Sequence, residues 1–347
     1  MKIQRHLLQT AAPIGLAAML FGVTPAYAEP LVYIPLGEEN QILTIDAETD
    51  TEVGRIAGTE AVHGLAGTPD GRLLVAGSLA ARPAGNAPEK PTGVSEEDHA
   101  AHHGMSNDSA EAPSGPLVST VSIIDRESGD ILRRIDVPGA VHHVAVSPDS
   151  RFAAVTLINA DAVSVIGLED FELITTVKTG STPNYAVFGV DTEALFVGNA
   201  GGGTVSRIAV DGWTPGLQAE IGDSPGHLVM SEDGSTLYVA NEGNGKVTEI
   251  DPKKMAVLRN FEMGGTLFAA VRETDQIGRI DLDTGDVSFV NLAPGPYHLM
   301  VVDGTGKVYV SSAEESKIWV LDADDLSLVG EIGFQGTGHQ MVVVPGS

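Results

Sequence analysis

The chain has 347 residues, a formal net charge of −27 at pH 7 and no cysteine. Without cysteine, disulfide bonds, thiolate metal sites and covalent attachment of haem are excluded. The negative charge repels nucleic-acid phosphates and anionic lipid, so neither nucleic-acid binding nor insertion into a membrane is expected.

The first 28 residues are predicted to be a secretory signal peptide. A basic start that ends at Arg5 precedes an apolar stretch at residues 11–23, which is short for a bilayer span. The tripeptide Ala-Tyr-Ala that ends at Ala28 supplies the small side chains a signal peptidase recognises. We therefore expect cleavage after Ala28, a periplasmic or secreted protein, and a single domain over residues 29–347.

One strand-like segment recurs along the chain. Its copies are ILTID (42–46), VSIID (121–125), VSVIG (163–167), VSRIA (205–209), VTEID (247–251), IGRID (277–281) and IWVLD (318–322). The copies at 121, 163, 205 and 247 are evenly spaced by 42 residues, and each unit holds four alternating apolar segments with turns between them. A period of about 40 residues with four short strands per unit predicts a β-propeller.

Seven copies predict an all-β, seven-bladed β-propeller. We label the strands of a blade A to D from the central channel outwards. The chain starts with B-, C- and D-like strands and ends with an A-like strand at residues 339–344, so the termini are expected to complete one blade and close the ring. The copies at 247 and 277 are only 30 residues apart. The fifth blade, counted from the first unit with an inner strand, is therefore predicted to lack that strand.

Two units carry a recognisable sequence pattern. VHHVAVSPDSRFAAVTL (141–157) and GHLVMSEDGSTLYVAN (226–241) resemble the repeat of the YVTN family of bacterial propellers, and the similarity extends over residues 31–344. The resemblance implies the propeller fold. It does not decide the activity, because the family includes binding proteins and enzyme subunits.

Residues 79–116 form an insertion between the B and C strands of the first complete unit. The insertion is rich in Pro, Ala, Gly and acidic residues, and it contains His99, His102 and His103. We expect a flexible loop on the face of the disc where the inner strands begin.

Histidine recurs at the start of the inner strands. Five of the six recognisable A strands have one, and the sixth has Asn184 and Tyr185 instead; the histidines are His63, His142 or His143, His227, His298 and His339. Because all inner strands start at one mouth of the channel, circular symmetry is expected to bring these rings together. Register opposes this expectation, since His63 aligns with His142 whereas His227 aligns with His143, and adjacent strand residues face opposite ways.

Clustered imidazoles favour a metal site, with Zn²⁺ expected first and copper second. Glu60, shortly before His63, is a candidate oxygen ligand. A channel-mouth site below a mobile His-containing loop resembles the architecture of periplasmic zinc metallochaperones. The predicted function is therefore a periplasmic metal-binding or metallochaperone propeller, with a transporter's binding protein as its partner.

Two alternatives remain open at this point. Propellers of this kind include lactonases and lyases that use His and carboxylates at the same mouth, so a hydrolase is one alternative. A scaffold that binds a protein or glycan through its loops is the other. No catalytic residue is assigned, and a protein without enzymatic activity is favoured over an enzyme.

Overall fold

The computed structural model describes residues 30–84, 116–222, 224–241, 246–261, 266–271, 274–281, 286–302, 305–336, 338 and 340–344. The predicted signal peptide, most of the insertion with His99, His102 and His103, and His339 lie outside the described residues. Within them the chain is almost wholly β-strand, with a 3₁₀ turn at Asp211–Trp213. No helix in the described part is long and apolar enough to cross a membrane.

The strands are short, from two to nine residues each. In chain order they are β1 (Leu31–Leu36), β2 (Gln41–Asp46), β3 (Thr51–Ala57), β4 (Val62–Gly67), β5 (Leu73–Ser78), β6 (Arg82–Pro83), β7 (Leu117–Asp125), β8 (Ile131–Pro138), β9 (Val141–Val146), β10 (Phe152–Leu157), β11 (Ala162–Gly167), β12 (Glu172–Lys178), β13 (Pro183–Phe188), β14 (Ala194–Asn199), β15 (Thr204–Ala209), β16 (Thr214–Glu220), β17 (Pro225–Met230), β18 (Leu237–Asn241), β19 (Lys246–Asp251), β20 (Ala256–Phe261), β21 (Thr266–Val271), β22 (Gln276–Asp281), β23 (Val287–Asn291), β24 (Pro296–Val302), β25 (Lys307–Ser312), β26 (Lys317–Asp322), β27 (Leu328–Gly333) and β28 (Val342–Val344).

These strands form antiparallel sheets that follow the chain around a ring, which confirms an all-β propeller fold. Six sheets in the described residues are complete blades: blade 1 (β4, β5, β7 and β8, with β6 beside the start of β7), blade 2 (β9 to β12), blade 3 (β13 to β16), blade 4 (β17 to β20), blade 6 (β24 to β27) and blade 7 (β28, β1, β2 and β3). The fifth place holds a three-stranded sheet, β21 to β23, called sheet five below. The prediction of seven blades is therefore wrong: the described residues form six complete blades and one three-stranded sheet.

Sheet five lacks its inner strand, as the short spacing predicts. The outermost strand of blade 4, β20, ends at Phe261, and β21 begins at Thr266 in the position of a B strand. Only four residues separate the two strands, and four residues cannot supply a further strand of the usual length.

The ring closes through its termini, as predicted. The last strand, β28, pairs antiparallel with β1, and the register places Val344 opposite Leu31 and Val342 opposite Tyr33. Blade 7 therefore takes its inner strand from the end of the chain and its other three from the beginning. This pairing removes the free sheet edges that the two termini would otherwise leave.

Neighbouring blades pack face to face through apolar side chains. The second and third strands of a blade are covered on both sides, and β11 and β14 are buried along their whole length. The outer strands are mostly exposed, as in β3 and β12. Among the described side chains, each pair of neighbouring sheets shares a buried apolar cluster except blade 4 and sheet five.

A polar contact joins the last complete blade to the first strands of the chain. Asp50, in the β2–β3 turn of blade 7, accepts hydrogen bonds from the Tyr309 hydroxyl and, at 2.7 Å, from Lys307 Nζ of blade 6. Burial and the bond to Asp50 raise the pKa of Tyr309 above its ordinary value, so the phenol stays protonated and donates. The Lys307 ammonium also donates to the Ala47 carbonyl at 3.1 Å.

Replacing Asp50 should weaken this junction. Asp50→Asn keeps a residue that tolerates the positive φ of 56° found there but removes the charge that Lys307 needs. We expect the free energy of unfolding in urea to fall by about 1–3 kcal/mol, because the Lys307 charge loses its counter-ion. Glu48→Gln, an exposed neighbour in the same turn, is the control and should change stability by less than about 0.5 kcal/mol. Equal urea midpoints for the two variants would contradict the role of Asp50.

Candidate active site at the channel mouth

The inner strands share a local irregularity where the histidines lie. In blades 1, 2, 3, 4 and 6 the pairing of the inner strand with its neighbour shifts register near its start. The residues within these shifts are His63, His142 and His143, Asn184, Gly226 and His227, and Tyr297 and His298. Such β-bulges re-aim side chains that regular alternation would turn away. The bulges therefore allow histidines that differ by one position in the sequence alignment to point to the same side.

Hydroxyl groups on the neighbouring strand accept hydrogen bonds from backbone N–H groups in two of the bulges. Thr156 Oγ1 of β10 accepts from the His143 backbone N–H at 2.9 Å and donates to the Asn184 carbonyl at 3.0 Å. Ser311 Oγ of β25 accepts from the His298 backbone N–H at 3.1 Å. The B strand thus replaces the ladder hydrogen bond that the bulge interrupts, which keeps a buried donor paired.

The bulges bring aromatic and imidazole rings from five blades into one chain of contacts. The distances between ring centroids are 4.7 Å for His63–His142, 5.6 Å for His142–Tyr185, 4.7 Å for His143–Tyr185, 3.9 Å for Tyr185–His227, 6.0 Å for His227–His298 and 4.1 Å for Tyr297–His298. We call these residues the mouth cluster. Their strands are far apart in the chain, so the cluster exists only in the closed ring.

Backbone carbonyls set the tautomer of two imidazoles. His63 Nδ1 lies 2.9 Å from the carbonyl oxygen of His142, and His142 Nδ1 lies 3.1 Å from that of Asn184. A carbonyl oxygen only accepts, so Nδ1 carries the hydrogen in both rings. In the neutral ring the lone pair is then on Nε2.

The environment keeps the imidazoles of His63, His142, His143 and His227 unprotonated at neutral pH. Burial lowers the pKa of His142 and of His227 to about 4, and repulsion from the neighbouring His63 adds to the effect at His142. Burial also lowers the pKa of His63 and of His143 below the ordinary imidazole value. His227 is the exposed member of the cluster, although the surrounding channel wall removes much of its water. The mouth is therefore lined by neutral imidazoles.

Two polar residues stand beside the imidazoles: Tyr185, which the sequence offered in place of a histidine, and Gln340, which the sequence did not single out. Tyr185 lies between the rings of His143 and His227. The Gln340 amide lies 3.1 Å from His143 Nε2 and accepts from the Leu65 N–H at 3.3 Å. Both stand at the repeat position that other inner strands fill with histidine, because Gln340 follows His339 as His143 follows His142. The repeat alignment itself was the signal that could have identified them.

The proposed oxygen ligand, Glu60, is hydrogen-bonded to a threonine hydroxyl in the described residues. Glu60 accepts a hydrogen bond from Thr120 Oγ1 at 3.0 Å, and within the described residues no hydrogen bond or ion pair joins its carboxylate to an imidazole. The structure therefore brings His63, His142, His143, His227 and His298 together without Glu60.

The fold is similar to those of several solved structures. A candidate 6-phosphogluconolactonase from Bacteroides fragilis has a TM-score of 0.68 at 11% identity, covering 91% of this chain and 98% of that chain. A candidate 6-phosphogluconolactonase from Bacteroides uniformis has a TM-score of 0.66 at 17% identity, covering 91% and 100%. The periplasmic gluconolactonase PpgL of Pseudomonas aeruginosa has a TM-score of 0.62 at 17% identity, covering 91% and 99%.

These similarities establish the fold. The chain is a β-propeller. No family model and no curated protein matches its sequence, so membership of the YVTN family stays a prediction.

The expected metallochaperone function is overturned. No group of three or more His, Asp or Glu side chains in the described residues is arranged to hold a metal ion, and the similar structures bear the names of lactonases. The physical reason is the packing of the rings. The imidazoles contact one another, and Nδ1 of His63 and of His142 is bonded to a backbone carbonyl, so the ring nitrogens do not converge on one point. The preference for a non-enzyme is corrected by the same comparisons. The expected ion, Zn²⁺ or copper, and the expected partner, a transporter's binding protein, stay predictions.

Acidification should destabilise the folded protein through the mouth cluster. The folded-state pKa of His142 is about 4, against 6.5 for a free imidazole, so the unfolded chain takes up the proton first. The stabilising contribution is complete above pH 6.5 and is lost as the pH falls towards 4. Urea midpoints measured across this window should therefore decline in the wild type. They should decline less steeply in His142→Asn, which has no imidazole to protonate. Equal slopes for both proteins would contradict a buried neutral His142.

Proposed function

We propose that the protein is an enzyme that hydrolyses an uncharged lactone at the mouth of its channel. The observation that carries the proposal is the mouth cluster, a set of neutral imidazoles with two tautomers set by backbone carbonyls. The shared fold with proteins named as lactonases supports the same class of reaction.

Opening a lactone adds one water molecule across the ring ester. The water oxygen bonds to the carbonyl carbon, the bond from that carbon to the ring oxygen breaks, and the product is a hydroxy acid. The reaction needs a base that accepts a proton from water, a donor for the developing oxyanion, and a proton for the departing ring oxygen.

The mouth cluster offers groups for each of these needs. His142 holds its lone pair on Nε2 because Nδ1 is bonded to the Asn184 carbonyl, so it is our candidate base. A pKa of about 4 keeps the ring unprotonated at neutral pH. The imidazolium formed when His142 accepts the proton then returns that proton to the departing ring oxygen. The Tyr185 hydroxyl and the N–H of a second neutral imidazole are the candidate donors to the oxyanion.

The charge of the protein argues for an uncharged substrate. Burial holds the pKa of His63, His142, His143 and His227 below the ordinary imidazole value, so these four rings carry no positive charge to pair with a phosphate group at neutral pH. The formal net charge of −27 also repels an anion during approach. We therefore expect discrimination against phosphorylated lactones. We also propose that the protein acts in the periplasm, which the signal-like composition of residues 1–28 supports.

Purified protein should open simple lactones. We expect hydrolysis of glucono-1,5-lactone or δ-valerolactone in a pH-stat assay above the buffer rate, and lower kcat/KM for 6-phosphoglucono-1,5-lactone. His142→Asn retains a donor to the Asn184 carbonyl but removes Nε2, so kcat/KM should fall about 10²–10⁴-fold. Glu48→Gln, on the opposite face of the disc, is the matched control and should keep wild-type activity.

Two results would contradict the proposal. The first is no turnover of any lactone in the panel. The second is loss of turnover in EDTA with recovery on adding Zn²⁺, because an ion rather than His142 would then activate the water. The EDTA arm thus separates an imidazole base from a metal-bound hydroxide.

A further inference from the structure

The strand missing from sheet five leaves apolar side chains uncovered inside the ring. Along the described parts of the inner strands, the exposed residues are His227, Val229 and Val301. Val229 is 61% exposed and Val301 is 41% exposed, although valines of inner strands elsewhere in the ring, such as Val62 and Val144, are buried. Both belong to the inner strands on either side of the missing one, Val229 to β17 and Val301 to β24.

The two valines face the same vacant position. Leu228 packs with Tyr185 and Phe196 of blade 3, so its neighbour Val229 turns to the other side, towards sheet five. In β24, Leu299 packs against the apolar cluster shared with sheet five. Val301, two residues further on, points in the same direction as Leu299. The valines therefore flank a slot from its two sides.

The back of the slot is the inner edge of β21. In the described residues β21 pairs only with β22, so its other edge faces the channel. We call the space between Val229, Val301 and the inner edge of β21 the strand slot.

The strand slot begins at the mouth cluster. The same two strands carry His227 and His298, whose ring centroids are 6.0 Å apart. Inner strands run from the mouth into the channel, so Val229 lies roughly 7 Å deeper than His227, the rise of two strand residues. A ligand held by the imidazoles therefore has the slot directly beneath it.

We infer that the strand slot binds an apolar substituent of the substrate. The inference rests on the proposed function and narrows it, from an uncharged lactone to a lactone that carries an alkyl chain. The valine walls offer no hydrogen bond to a hydroxyl, so a polyhydroxylated substituent would lose water without a partner there. An alkyl chain instead covers apolar surface that is now exposed, while the edge of β21 keeps its water. About six carbons in an extended chain span the distance to the valines.

Binding of lactams tests the slot without any turnover. The probes are δ-valerolactam and its 6-pentyl, 6-heptyl and 6-nonyl derivatives, which have the ring shape of a δ-lactone and resist hydrolysis. Calorimetric titration of the protein should show affinity rising about threefold to fourfold for each methylene added beyond the pentyl derivative. Val229→Asp and Val301→Asp should reduce the gain over the whole series to less than about twofold, because the chain would lie against a hydrated carboxylate.

The control for these variants is Val53→Asp. Val53 is 55% exposed on the outer strand β3, so this change adds the same charge at a similar exposure away from the channel. It should leave the chain-length dependence intact. Val229→Thr keeps the shape of valine and replaces one methyl group with a hydroxyl, so it should give an intermediate dependence of affinity on chain length. This variant tests the slot if an aspartate variant does not fold.

The outcomes separate this inference from the proposed function. Equal affinity for all four lactams, or a chain-length dependence unchanged by Val229→Asp and Val301→Asp, would overturn the slot whatever the enzyme does. A chain-length dependence that the valine variants remove would support it. If the lactams bind in this way but no alkyl δ-lactone is hydrolysed, the slot stands as a ligand site and the proposed hydrolase fails.

Discussion

The β-bulge at the start of the inner strand in five blades is the constraint on which the mouth of this propeller depends. A regular strand alternates its side chains between two faces, so histidines one register apart in different blades would point in opposite directions. The bulges in blades 1, 2, 3, 4 and 6 remove that restriction, and the hydroxyls of Thr156 and Ser311 hold two of them in place. Local backbone irregularity, repeated by the fold, thus produces the collective ring cluster.

The packing of the cluster in turn determines the pKa values and the tautomers of its imidazoles. Close packing of imidazoles and Tyr185 excludes water from His63, His142 and His143, and exclusion of water disfavours the charged form of these rings. The carbonyls of His142 and Asn184 then select which nitrogen keeps the hydrogen in His63 and His142. Neutrality and tautomer follow from packing and backbone geometry, with no carboxylate involved in the described contacts.

The fold could be predicted almost entirely from the sequence, since a repeat of 42 residues with strand periodicity leaves few architectures. The missing inner strand was visible as a short interval, and the closure as unmatched strands at the two ends. The site was harder. Histidine at inner-strand starts indicated where to look, but a bulge has no clear signature in an alternating pattern. The contributions of Tyr185 and Gln340 depended on residue position in the repeat rather than on residue type.

The functional interpretation failed where residue type was given too much weight. Several histidines at one rim suggested a metal site, yet ligand geometry requires nitrogens that converge, and these rings pack against each other. The missing inner strand of sheet five has a consequence that residue type alone does not indicate. In the sequence the missing strand is only a short interval, whereas in the structure Val229 and Val301, on the inner strands at either side of it, are exposed.

The central claim is that bulged inner strands hold neutral imidazoles in defined tautomers at the mouth. Side-chain ¹H–¹⁵N correlation spectra of histidine-labelled protein, recorded during acid titration, measure this directly. The account expects His142 as the Nδ1–H tautomer with a midpoint of about 4. A midpoint at 6.5, the value of a free imidazole, or an Nε2–H tautomer would contradict it.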